Sequence, residues 1–68
     1  MPRYHFHFVN GTEVFDSLGV MLVNDAAAHS HAKNLAAGFA SSQAGMKIRG
    51  IRVTDESGLV LFRLPVYH

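Results

Sequence analysis

A chain of 68 residues with six Lys and Arg against five Asp and Glu carries a net charge of +1, too near neutral for bulk attraction to nucleic acid or an anionic membrane. The absence of cysteine excludes disulfides and thiolate metal sites, and 49% apolar against 16% charged residues is a globular balance that excludes disorder. A single domain over 1–68 buries only about 60% of the surface its unfolded chain exposes. A metal held by His or carboxylate, or a partner subunit, is then the remaining supplement to a small core. No segment reads as a secretory signal or reaches the length of a membrane span, which places the chain in the cytoplasm with no membrane partner.

Arg3 to Val9 (RYHFHFV) alternates strictly, with Tyr4, Phe6 and Phe8 on one side and Arg3, His5 and His7 on the other, the pattern of a half-buried strand. Asn10-Gly11 reads as a two-residue type I′ hairpin turn, which sets Phe6 opposite Phe15, His7 opposite Val14 and His5 opposite Asp16; a three-residue loop would face Phe8 with Val14 instead. Asp16-Ser17-Leu18-Gly19 has Asp first and Gly fourth, as a type I turn prefers, and it releases the chain into Val20 to Val23, with a short extra strand at 20–22.

From Asn24 to Ala44 the chain has helical period. Ala28, Ala32, Leu35, Ala36 and Phe39 form one stripe, and Ser30, Lys33, Asn34, Ala37 and Ser41 lie opposite. Asn24 or Asp25 caps its start and Gly45 closes its end. Lys47 to Thr54 is a strand with Gly50 as a bulge, Asp55-Glu56-Ser57-Gly58 repeats the Asp-x-x-Gly turn, and Leu59 to Leu64 returns before Pro65.

The order predicts an α+β domain: an antiparallel four-stranded ββαββ sheet with one helix packed on one face. Tyr4, Phe6, Phe8, Ile51, Val53, Val60, Phe62 and Leu64 supply the covered side. The other side presents Arg3, His5, His7, Arg52, Leu59, Leu61 and Arg63, leucines among cations, and reads as an interface.

Three kinds of chemistry compete with that reading. His5 and His7 project from one strand face about 6.5 Å apart, with Asp16 beside them in the two-residue register, a candidate metal set; a solvated or interface pair is the plainer reading. Pro2 offers a secondary amine as general base once Met1 is removed, as in short tautomerases, but there a helix follows the first strand directly, where this chain has a hairpin. Arg3, Arg52 and Arg63 with the histidines and Tyr4 or Tyr67 make a basic, aromatic sheet surface of the kind that holds single-stranded nucleic acid, against which stands the near-zero net charge. Asp16, Asp55 and Glu56 sit in turns that use their oxygens, and His29 and His31 flank the helical core stripe.

Met1-Pro2-Arg3-Tyr4-x-Phe6-His7, Gly11, Asp16-x-x-Gly19, the alanine-rich helix and the ending Val53-Thr54-Asp55-Glu56-x-Gly58-x-x-Leu61-x-x-Leu64-Pro65 run through nearly the whole chain. In these the sequence resembles a family of short proteins of unknown function found mainly in alphaproteobacteria. It departs at His5, where an aromatic is usual, and at Val66, where phenylalanine is. The resemblance implies a bacterial, soluble, single-domain protein and carries over no activity. The expectation is a non-enzymatic interaction or regulatory module without cofactor or catalytic residue. It self-associates, preferably as a dimer, through the face bearing His5, His7, Arg52, Leu59, Leu61 and Arg63 or through an edge strand. Another protein partner comes next, a nucleic-acid-binding sheet is the alternative, and a small metal- or N-terminal-proline-dependent enzyme lies behind it.

Overall fold

Alternation makes the opening segment the strand on which the others assemble. The computed structural model describes residues 1–41 and 48–67. In it β1 (Arg3–Val9) is followed by β2 (Glu13–Val14), β3 (Val20–Met21), α1 (Asp25–Ser41), β4 (Gly50–Thr54) and β5 (Val60–Pro65). The architecture is α+β, an antiparallel sheet of order β2-β1-β4-β5 with β3 also beside β1. One side of β1 pairs with β4, from His5↔Thr54 to Val9↔Gly50. Its other side pairs with β2 through Phe8↔Val14 and with β3 through Tyr4↔Val20. The two short strands are therefore pieces of one broken edge.

The hairpin takes the three-residue loop and not the two-residue one. Among the described residues only glycines have positive φ, Gly11 at 97°. A type I′ turn needs Asn10 there as well, so the loop extends to Thr12, whose carbonyl accepts the Asn10 N–H at 2.9 Å. This slips Phe15 off Phe6 and frees residues 15–19 from the ladder.

Gly50 is a regular ladder residue between Val9 and Pro65, and the bulge falls instead where Val53 and Thr54 face β5. Thr54 pairs with Val60 and Val53 with Phe62. The register thus puts Val60 on the face of His5 and Thr54, contrary to the alternation, while Leu61 packs against the core with Phe62 and Leu64.

The helix lies over β4 and β5. Ala28 and Ala32, both fully buried, bring its backbone close to Tyr4, Phe6, Ile51 and Val53. His31 and Phe39 reach β1, with ring centroids 4.7 Å from Phe6 and 5.0 Å from Phe8. At the helix start the Tyr4 hydroxyl donates to Asp25 Oδ1 at 2.7 Å, and that carboxylate pushes the phenol up to about 12. Asn24 is the cap: its Oδ1 accepts the Ala27 N–H at 2.8 Å. Asn24→Ala is expected to cost about 1 kcal/mol, read by urea unfolding; an unchanged midpoint would mean the helix start is held by Asp25 and Tyr4 alone. The helix end predicted at Gly45, and the strand start predicted at Lys47, lie outside the described residues.

Candidate functional site

The break between β2 and β3 is organised by Asp16. Its Oδ1 accepts the N–H groups of Leu18 and Gly19 at 3.1 and 3.0 Å, the Asx geometry the Asp-x-x-Gly spacing predicts, and its Oδ2 reaches the Phe6 N–H at 3.2 Å. Burial would push this carboxyl up, but the N–H groups of Gly19, Phe6 and Leu18 outweigh it and hold the pKa below 3.8.

The backbone of Asp16 is held by the two histidines. His5 Nδ1–H donates to the Asp16 carbonyl at 2.8 Å, and the Asp16 N–H donates to His7 Nδ1 at 3.0 Å. His7 therefore carries its proton on Nε2, which donates to Thr54 Oγ1 at 3.0 Å. The parallel imidazoles, 6.1 Å apart, stand in for two rungs of the missing ladder. In the alternating pattern they were candidate ligands, but here both Nδ1 atoms and all of Asp16 are engaged. Among the described residues no group of three or more His, Cys, Asp or Glu is arranged to hold a metal ion.

Beside His7 the rear face continues as a polar layer. Arg52 pairs with Glu13 and lies over the Phe15 ring, 5.8 Å from its centroid, and Phe15 meets the His7 ring edge-on at 5.3 Å. His7 and Thr54 are buried beneath these groups. Burial, the Arg52 charge and His5 lower the His7 pKa against the smaller raising effects of Glu13 and Asp16. Of the six residues assigned to an interface from sequence, the structure brings His5, His7, Arg52 and Arg63 onto this face. Leu59 is an exposed turn residue and Leu61 belongs with the core, because of the bulge.

The uncovered apolar atoms lie elsewhere. Among the described residues eight large hydrophobics are exposed, and five of them, Val14, Phe15, Leu18, Met21 and Val23, belong to the β2–β3 edge. A groove of about 380 Å³ runs between that edge and the helix, with Phe6 and Phe8 as its floor and His31 and Leu35 as its far wall. It exists because a helix lying over β4 and β5 leaves the β1 side of the same face partly open. The sequence signal for this surface was the apolar spacing from Val14 to Val23 around a turn glycine, too broken to make a core strand.

Residues 3–67 match a domain of unknown function, DUF6894, and the chain belongs to that family. Neither the curated proteins nor the solved structures give a match. No described helix is long and apolar enough to cross a membrane.

Proposed function

We propose that this DUF6894 chain is a cytoplasmic, non-enzymatic interaction module that works as a homodimer joined through the β2–β3 edge and its adjoining groove. The observation that carries the reading is the concentration of exposed apolar side chains in ten residues, Leu18 at 79% and Val23 at 65% among them, beside an apolar groove. The rear face, polar and internally hydrogen-bonded, offers less to such a contact. Strands of two residues cannot template a long intermolecular ladder, so side chains carry the association. One partner's share of a standard interface, about 800 Å², is under a fifth of the 4450 Å² this chain exposes.

Sedimentation velocity from about 5 to 100 μM should show a dimer with a micromolar dissociation constant. The double variant Leu18→Asp, Val23→Asp should sediment as a folded monomer across that range, because both side chains are exposed and neither belongs to the core. A wild-type chain that stays monomeric throughout would overturn self-association; a dimer untouched by the substitutions would place it on another surface.

A further inference from the structure

A second concavity, of about 490 Å³, lies toward the loop end of the rear face and has a different character. Three of the chain's six cationic Lys and Arg side chains, Arg49, Arg52 and Arg63, line it together with Glu13. Its shape follows from the register. Val9, Gly50 and Pro65 form one row across β1, β4 and β5, and the central member has no side chain. A Cβ at Gly50 would sit 3.2 Å from the Leu64 carbonyl oxygen, tighter than an ordinary contact, so this place in the row suits a residue without a side chain.

The charge arrangement is unfavourable in the protein alone. Arg52 and Arg63 are directly paired across β4 and β5, a position where like charges repel. Glu13 answers Arg52, but among the described residues neither Arg49 nor Arg63 has a carboxylate partner. Three guanidiniums against one carboxylate leave two positive charges facing one cleft, on a chain whose net charge is only +1. Arg52 also keeps a buried Nε–H with no acceptor among the described residues. Unopposed like charges disfavour the free state, and one dianion in the cleft relieves them.

We infer that this cleft binds the phosphate group of a small phosphate monoester. A monoester carries about two negative charges at neutral pH and three acceptor oxygens, matched by planar guanidinium forks. The volume exceeds what a bare oxyanion fills, and Val9, Leu64 and Pro65 give an apolar wall for the organic part. Phosphate binding here does not rest on the dimerisation proposed above, although the cleft adjoins that edge through Glu13 of β2 and through Arg52, which lies over Phe15.

The test is an amide-resolved NMR titration of the full chain with phenyl phosphate, adenosine 5′-monophosphate, inorganic phosphate and a ten-nucleotide single-stranded DNA. Both monoesters should give saturable shifts at Gly50, Arg52 and Arg63, tighter than inorganic phosphate. Arg49→Ala and Arg63→Ala, both at exposed positions, should each weaken binding about tenfold while leaving the remaining spectrum intact. Glu13→Gln, which frees Arg52, should tighten it several-fold. No saturation by about 10 mM, or affinity unchanged in the arginine variants, would overturn the assignment. Inorganic phosphate binding as tightly as the monoesters would remove the organic half of the site, and tighter binding of the oligonucleotide would reassign the cleft to a phosphodiester backbone.

Discussion

Gly19→Ala is expected to destabilise the protein by about 2–4 kcal/mol, the largest loss from adding a methyl group at any of the described glycines. Two effects coincide at this residue. Its φ is 74°, a conformation that costs an L-residue about 1–2 kcal/mol. A Cβ there would also stand 2.8 Å from Arg3 Cγ and 2.9 Å from the Tyr4 carbonyl oxygen, and the second of these is backbone in a paired strand. A domain of this length has about 3–10 kcal/mol in total, so the variant should melt about 10–20 °C lower. Because Gly19 delivers the chain from the Asp16 turn into β3, the same change should displace Leu18 and Met21 and weaken the proposed dimer. A loss under about 1 kcal/mol in urea unfolding would show that the edge tolerates a different path.

His7 should give the next largest effect and a pH signature with it. His7→Phe keeps an aromatic ring in place but leaves the Asp16 N–H without its acceptor, an expected cost of about 1–3 kcal/mol at pH 7.5. His7→Ala adds the lost packing of a buried ring and should cost about 3 kcal/mol or more. In the wild type the folded-state pKa of His7 lies below 6.5. Above pH 6.5 neither folded nor unfolded chain holds the proton and the stability is complete. As the pH falls through 6.5 the unfolded chain takes it up first, and stability declines until the folded value is passed. Asp16 has its carboxyl pKa lowered below 3.8, so its contribution is present above that value and disappears only at more acid pH. Unfolding midpoints between pH 7.5 and 5 should therefore fall in the wild type and fall less in His7→Phe. Parallel slopes would mean that His7 takes up its proton as readily in the folded chain as in the unfolded one.

These two residues show where sequence reading held and where it stopped. The Asp16-x-x-Gly19 spacing predicted a turn in which the Asp oxygens serve the backbone, and they do; that Gly19 is left-handed is a finding of the structure. His-x-His on a strand suggested ligands or an interface. It serves as a clamp because the three-residue loop frees the Asp16 backbone from the ladder and presents it to both rings. That outcome depends on one residue of register, which the dipeptide Asn10-Gly11 leaves open. Leu61 and Val60 exchanged faces for a similar reason: alternation counts residues along β5, whereas a bulge inserts one.

The sequence by itself determined the elements, their order and the buried side of β1, α1 and β4, because periods of 2 and 3.6, a capping Asn and turn glycines act over a few neighbouring residues. Tertiary structure alone decided which strands adjoin, that the helix covers β4 and β5, and that exposed apolar atoms gather at the β2–β3 edge while arginines 52 and 63 stand abreast. Those facts arise from register and helix placement between segments tens of residues apart, where a shift of one residue reverses a face and no local pattern records the choice.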